Sequence, residues 1–535
     1  MRPLARTASA SGLSAVPALS DHAAVGAAAG YVRDLDAALL MFSEADVWRL
    51  RDACEGTLIT GGIGSGKSSG SGAALARAYL RAGFGGVVAC ANVDEAERWR
   101  RYCAEEGRSH SLIVMDKSLT QRFNFLEYQM AVGRGSTFEA VQVLLDILSA
   151  AEGRIDTAEG GKDAFWQQSM RRMLRATLAP LWAARGRVTL AELMRFIQER
   201  PKKPEHLNPD LAEGEAAKRA AEAWFDGSFW AETMGLAEHA AAHPMEKEDF
   251  EPIYAYWTGE MIEGDPRTTG NILQTLTARL DPFTSGDLRK LFCTGTTLVP
   301  ELTFEGAVIV LDLSAHEWGQ EGIVAQHIVK TMWQRAMQRR PKTADARPCF
   351  LFADECQYFL SPADQAFQST ARACRALTVY LTQNLPGIYA KIGGQRAQDV
   401  ADALLGNLAT QIFHAQPDQR TAQWAAEKIG KALTWRQNIS ENEGESSGTS
   451  SSSSHSTGPT GQGGGNASSG ISTNTSSGSG RGASQVIDYR VQPAHFSSLR
   501  KGGGPDATTE AIVWQNGRVF SRTGSTFTPV LFKQS

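Results

Sequence analysis

Residues 59–71 read Ile-Thr-Gly-Gly-Ile-Gly-Ser-Gly-Lys-Ser-Ser-Gly-Ser, and Gly61, Gly66, Lys67 and Ser68 among them satisfy the spacing G-x-x-x-x-G-K-[ST]. These residue types suit the binding of a nucleoside triphosphate. Gly61, Gly62, Gly64, Ser65 and Gly66 let successive backbone N–H groups curl round a β-phosphate, Lys67 spans the β- and γ-phosphates, and Ser68 offers its hydroxyl to Mg²⁺. Ser69 is assigned to the same site, where the following helix adds its positive end. The surroundings agree: 56–60 is a short apolar strand, and Ser71 to Arg81 is an Ala/Leu-rich helix. In a chain with 52 glycines the pattern alone is not decisive. It needs a second motif.

At 535 residues the chain is long enough for two or three structural units with a large core. A formal net charge of −4 excludes the global basic character that advertises nucleic-acid binding, so any DNA contact must be local. The local basic groups are Arg98/Arg100/Arg101, Arg171/Arg172/Arg175 and Arg335/Arg339/Arg340/Lys342, and each reads first as a solvated helix face. Seven cysteines stand singly in apolar contexts without C-x-x-C pairs, as reduced core thiols do. The best apolar run, Ala23 to Val32, is too short to span a membrane, and no secretory signal precedes Asp21. A cytoplasmic location is expected, with a peripheral position at the inner face of the cell membrane left open.

Outward from the loop the chain divides by pattern. Residues 1–30 form an Ala/Ser/Gly-rich leader. Residues 31–135 begin with a helical pattern over Tyr31 to Arg51 and continue with buried strands at 86–90 and 111–115 around a helix at 93–106, the first part of an α/β nucleotide-binding domain with a largely parallel sheet. Between 136 and 285 the β signal disappears into amphipathic helices, among them 138–151, 164–182, 190–199 and 269–280, which exceed what a crossover needs and form an inserted all-α domain. Residues 286–439 resume the sheet at 306–312, 349–353, 376–381 and 409–413, with a long helix over 322–340, giving five or six core strands. Residues 440–484 collapse into Ser, Gly, Thr and Asn, which cannot repay their ordering entropy, and read as a disordered loop. Residues 485–535 form a C-terminal β segment, with a hairpin of 509–514 and 518–521 about Asn516-Gly517.

The second motif is Phe350-Leu-Phe-Ala-Asp354-Glu355, an apolar strand ending in two acids. Asp354, with Ser68, suits the Mg²⁺ shell, and Glu355 suits polarising the attacking water. An acid pair after a strand is weak alone, but following a phosphate loop it argues for hydrolysis. The strand ending at Leu381 then delivers Thr382-Gln383-Asn384 to a carboxyl edge, where ligands of open α/β sheets gather. Gln383 there can sense the γ-phosphate or orient the water.

In order as well as in motif, residues 45–535 resemble the type IV secretion coupling proteins, the TraD/TraG-like branch of the FtsK/HerA group of P-loop ATPases. Besides the loop, Asp354-Glu355 and Thr382-Gln383, the resemblance includes Arg122-Phe-Asn124-Phe-Leu126, Asp163-Ala-Phe165-Trp166, Leu405-Gly-Asn407 and a Ser/Gly-rich stretch before a terminal β segment. It implies a RecA-like motor domain paired with an all-α domain, a homo-hexameric ring, ATP and Mg²⁺ as cofactors, and ATP-driven transfer of DNA, single-stranded or relaxase-bound, to a secretion channel. Relaxase and type IV secretion components are the implied partners. Arg372 matches the family's trans-acting arginine, which stabilises charge on the transferring phosphoryl group, with Arg375 its near competitor. Most of the family has N-terminal transmembrane helices and some members an acidic tail, neither of which is seen here, so a separate membrane protein is an expected docking partner.

Rival readings are a GTPase, which lacks its N-K-x-D, and an ABC ATPase, whose Gly-Gly-Gln has an echo at Gly393-Gly394-Gln395 on the wrong side of Asp354-Glu355. A soluble hexameric ATPase that handles protein substrates, or DNA outside conjugation, stays open.

Overall fold

The computed structural model describes residues 30–151, 161–239, 242–393, 396–456 and 464–534; the expected leader lies outside them except for its last residue, as do Gly394 and Gln395. Among the described residues thirteen strands occur together with helices: β1 (Ala38–Met41), β2 (Val47–Arg49), β3 (Thr57–Thr60), β4 (Gly85–Ala89), β5 (Leu112–Met115), β6 (Val308–Leu311), β7 (Cys349–Ala353), β8 (Ala376–Thr382), β9 (Thr410–His414), β10 (Lys431–Ser456), β11 (Gly464–Tyr489), β12 (Thr508–Gln515) and β13 (Phe527–Lys533). Nine of them form one sheet in the order β13-β12-β9-β3-β8-β7-β4-β6-β5. From β9 to β5 every pairing is parallel, so the parallel part has seven strands where five or six were expected.

The strands that decide the fold are almost wholly apolar and buried on both faces, as parallel strands between helical layers must be. Alternation assigns their side chains. Val88, Val308, Val310, Phe350 and Phe352 join Trp48, Tyr79, Trp99 and Tyr102 in one cluster, with the Trp99 and Phe350 rings stacked at 5.5 Å. Tyr380 turns the other way, where its hydroxyl donates to Asp364 of helix Pro362–Ala371 at 3.0 Å.

Two expectations at the sheet margins are corrected. Tyr31 to Arg51 is not mainly helical: β1 and β2 pair antiparallel, and only Leu50–Ala53 makes a helical turn. Arg518–Ser521 is not the return strand of the C-terminal hairpin; β12 pairs with β13, and Asn516-Gly517 only begins the longer connection. The apolar alternation of Phe527–Lys533 competes better for that place, burying Val530 and Phe532. On its other side β12 pairs antiparallel with β9, extending the sheet.

Between Phe125 and Phe292 every named element is helical. Local chemistry starts these helices. Thr189 and Glu192 form a reciprocal capping box before Leu190–Gln198, and Asp265 caps Pro266–Leu280 with proline in the first turn. The helical region and the sheet lie in one compact unit, which runs to Ala422 and resumes at Phe496. The long helix Ala315–Arg339 starts earlier than expected and breaks at Gly319, whose φ of 57° is left-handed. Among the described residues no helix is long and apolar enough to cross a membrane. All seven cysteines are buried and free.

The second unit is Gln423–His495. Here residues 440–456 and 464–484 of the expected disordered loop lie in β10 and β11, which pair antiparallel from Lys431↔Tyr489 to Ser456↔Gly464, and residues 457–463 lie outside the described residues. Leu433, Val486 and Ile487 give the root of the ribbon β-forming residues. Beyond it the backbone ladder satisfies N–H and C=O groups with few apolar residues, among them Ile439 and Ile471, a possibility that composition alone does not register.

Candidate active site

Strand register decides what meets at the carboxyl edge of the sheet. Thr60 of β3 lies beside Thr382 of β8, and Ala353 of β7 beside Tyr380, so Gly61, Gln383 and Asp354 leave the sheet as neighbours. Gly61 N–H donates to Thr382 O at 3.3 Å and Gly62 N–H to Ala415 O at 2.9 Å, which fixes the base of the loop. Gly66 is left-handed at φ 86°, and a Cβ there would stand 2.7 Å from Thr509 Cβ. Only glycine fits on both counts. The chain then enters a wide π turn over Lys67–Gly72 that continues as helix Ala73–Arg81.

The loop meets the acid pair directly. Lys67 Nζ lies 3.1 Å from Glu355 Oε1, with the two side chains only 12% and 9% exposed. Ser68 Oγ donates to Asp354 Oδ2 at 2.5 Å, and Asp354 Oδ1 accepts from Glu355 N–H at 3.0 Å. Gln383 Nε2 donates to Glu355 Oε1 at 3.0 Å and Gln357 Nε2 to Glu355 Oε2 at 2.8 Å. Gln357 and Gln383 are themselves held, the first by Thr382 Oγ1 at 3.0 Å, the second by Gln416 Nε2 on its backbone carbonyl at 2.9 Å.

Glu355 is left-handed at φ 49°. Such a backbone costs a non-glycine residue about 1–3 kcal/mol and persists where surrounding contacts over-determine it. Burial raises the pKa of its carboxyl, but Lys67 and the hydrogen bonds from Gln357, Gln383 and Lys67 outweigh that, leaving it below the ordinary glutamate value. Glu355 is thus an ionised acceptor at neutral pH. Glu95 behaves oppositely: burial, and then the charge of Asp354, push its pKa well up. Arg98 lies between these acids, with Nη1 3.8 Å from Asp354 Oδ2 and Nη2 2.7 Å from Asp94 Oδ2.

The oxygen donors of Ser68 and Asp354 suit Mg²⁺, a hard cation that takes few protein ligands and keeps phosphate oxygens and waters for the rest. No cluster of three or more His, Cys, Asp or Glu suited to a metal occurs among the described residues.

Lys67, Ser68, Asp354, Glu355 and Gln383 therefore converge, and Arg372 does not join them. It caps helix Pro362–Ala371 before β8 begins, at the opposite end of the strand, and pairs with Glu55 at 3.0 Å while 70% exposed. Arg375 donates to Arg33 O at 2.7 Å. Several of the local basic residues are engaged within the fold: Arg335 with Asp146, Arg339 with Gln129 and Tyr128, and Arg340 with the carbonyls of Arg347 and Cys374.

The sequence reading missed Gln357 and Gln416, of which only Gln357, two places after Glu355, carried a local signal, and it took Arg98 for part of a solvated basic helix face where the structure sets it beside Asp354. It also missed a network behind the loop. His414 Nε2 lies 2.7 Å from Ser71 Oγ and Nδ1 3.4 Å from Thr509 Oγ1.

Residues 348–462 match the family described as the TraM recognition site of TraD and TraG, a segment that begins with the acid-pair strand and includes Gln383. This bears out the resemblance to TraD/TraG-like coupling proteins. No curated protein matches the chain by sequence. Among solved structures, the fold is similar to that of the bacterial conjugative coupling protein TrwBdeltaN70, unbound, at 15% identity and TM-score 0.52 over 91% of this chain and 86% of that one. It is similar to TrwB with the non-hydrolysable ATP analogue ADPNP at 13% identity and TM-score 0.50, over 92% and 89% of the two chains. For TrwB with ADP and Mg²⁺ the identity is 13% and the TM-score 0.53, over 94% and 90%. The α/β fold with a parallel-rich sheet is thus similar to that of TrwB.

Proposed function

We propose that this chain is an ATP-hydrolysing coupling protein that assembles as a hexamer and drives DNA, presented with its relaxase, towards a type IV secretion channel. The observation that carries the hydrolytic part is the convergence of Lys67 and Ser68 with Asp354, Glu355 and Gln383 on adjacent parallel strands. The coupling part is supported by the match of residues 348–462 and by the shared fold.

In this reading the loop residues Gly61, Gly62, Gly64, Ser65, Gly66 and Ser69 hold the phosphates through backbone and hydroxyl groups, and Lys67 neutralises charge on the β- and γ-phosphates. Ser68 and Asp354 would hold Mg²⁺, which when bound would withdraw charge from the phosphates. Glu355, kept ionised, accepts a proton from the attacking water, and Gln383 with Gln357 keeps its carboxylate aimed. Arg372, exposed and away from its own site, serves a neighbouring subunit by stabilising charge on the transferring phosphoryl group. The helical region takes the role of the all-α domain.

The test is the ATPase rate with and without single- and double-stranded DNA at two ionic strengths. DNA should bind and raise the rate, with both effects weakening as salt rises because phosphate contacts release counterions. If neither DNA binds nor changes the rate while a polypeptide substrate does, the protein-handling reading replaces this one.

A further inference from the structure

The chain beyond residue 500 reaches back to the phosphate loop at three points. Gly502 N–H donates to Gly64 O at 3.1 Å, Thr509 Oγ1 donates to Ser65 O at 2.6 Å, and Gln534 Nε2 donates to Ser69 Oγ at 2.8 Å. Each contact is itself supported. Gln534 Oε1 accepts from Gly503 N–H at 2.6 Å, and Gln534 N–H donates to Ala507 O at 2.6 Å. Thr509 lies in β12, where it pairs with Phe532 of β13, two residues before the ladder with β9 begins at Ala511.

The direction of these contacts matters. In a trans peptide unit the C=O and N–H point opposite ways, so a Ser65 carbonyl held towards Thr509 turns the Gly66 N–H to the other side, into the cradle a phosphate would occupy. Thr509 also stands against Gly66, where an added Cβ would meet its side chain at 2.7 Å, so it blocks the loop from relaxing outward. His414 ties the same hydroxyl to Ser71 in the helix that follows the loop. Its imidazole is kept neutral at physiological pH because burial holds its pKa down to about 3.

We propose that Thr509 and Gln534 are positioning residues for the nucleotide, acting through the phosphate loop: they hold the loop's peptide units in the binding orientation and so set its affinity for nucleoside di- and triphosphates. This rests on the nucleotide reading of the loop given above. Both residues touch the loop from outside and not the reacting atoms, so their loss weakens ground state and transition state alike. KM rises while kcat stays nearly constant.

The experiment compares the full chain with Thr509→Val, Thr509→Ser, Gln534→Ala and Lys67→Ala. ADP affinity is titrated directly, ATP hydrolysis is resolved into kcat and KM, and melting is followed without nucleotide. Loss of the Thr509 hydroxyl should raise ADP Kd and ATP KM about three- to tenfold, the worth of one hydrogen bond, with kcat within about twofold. Thr509→Ser should restore wild-type values. Gln534→Ala, at a partly exposed position, should raise both constants about two- to threefold with an unchanged melting temperature, which tests the brace without disturbing the buried hydroxyl. The proposal is overturned if Thr509→Val and Gln534→Ala bind ADP like wild type while Lys67→Ala does not, or if Thr509→Ser is as weak as Thr509→Val. Wild-type ADP affinity in Lys67→Ala would instead sink the nucleotide reading itself, and the brace with it.

Discussion

His414 offers a test whose size follows from its surroundings. The ring is fully buried, faces Ser71 and Thr509, and lies 6.0 Å from the Phe532 ring. Burial is the main reason that its pKa falls from 6.5 to about 3; Lys67 adds repulsion, and hydrogen bonding with the Glu510 and Ser65 backbone opposes both. An unfolded chain protonates this histidine near 6.5. Between about pH 6.5 and pH 3 the unfolded state therefore binds one more proton than the folded state, so this contribution is complete above 6.5 and drains as pH falls. From pH 7 to pH 5 the loss comes to about 2 kcal/mol. His414→Gln removes the titration and keeps a hydrogen-bonding side chain. In urea unfolding of both proteins at pH 7, 6 and 5, every other titrating group cancels in the difference. Wild-type stability minus variant stability should fall by about 2 kcal/mol between pH 7 and pH 5. A difference that stays flat would refute the argument that a neutral, desolvated imidazole supports the back of the loop.

Three further outcomes are expected. Glu355→Gln should lower kcat by about a hundredfold or more by removing the proton acceptor, while ATP stays bound and favours the assembled ring; wild-type turnover would show that another group is the base. If Arg372 acts across a subunit boundary, mixing Arg372→Ala with Lys67→Ala chains should recover part of the ATPase rate, and no recovery in verified mixed rings would count against it. Lys330 and Asp364 form a fully buried pair at 2.6 Å whose lysine also donates to Phe359 O, in the loop after Glu355. Lys330→Met should cost about 3–5 kcal/mol by leaving the buried charge of Asp364 without its counter-ion, as read by thermal melting.

What was legible in the sequence is what chemistry writes locally. Gly61 to Ser68 must be glycine-rich and end in Lys-Ser, and Asp354-Glu355 must follow a strand whose buried neighbours make it wholly apolar, so each announces itself within a few residues. Gln383 was legible for the same reason, because it ends such a strand. Their meeting could only be argued by analogy, since it depends on the order β3-β8-β7, and strand order leaves no mark on any one segment. The Tyr31–Arg51 stretch was misread because short antiparallel strands and a helical turn share its mixture of Leu, Ala and charged residues. The strands at 440–456 and 464–484 were not legible because composition registers what side chains bury and is blind to a ladder built from backbone alone.

The brace behind the loop marks where such reading ends. Ser65 and Thr509 are separated by 444 residues, and Thr509 and His414 by 95. A threonine in a strand is an ordinary residue, and a histidine at a strand end is most often a satisfied core group. What makes them consequential is register: β12 pairs antiparallel with β9 so that Ala511 lies beside His414, and Thr509, two places back, falls past the end of β9 on the side where β3 gives way to the loop. A slip of one residue would turn Thr509 to the opposite face and put Thr508 or Glu510 behind the loop. Thr508 would bring a hydroxyl of its own, whereas Glu510 is wrong for the task because a carboxylate cannot donate to the Ser65 carbonyl. Thr509→Glu should accordingly weaken nucleotide binding more than Thr509→Val, because it replaces a donor by an acceptor facing a carbonyl, and equal affinities in the two variants would argue that Thr509 acts by bulk alone.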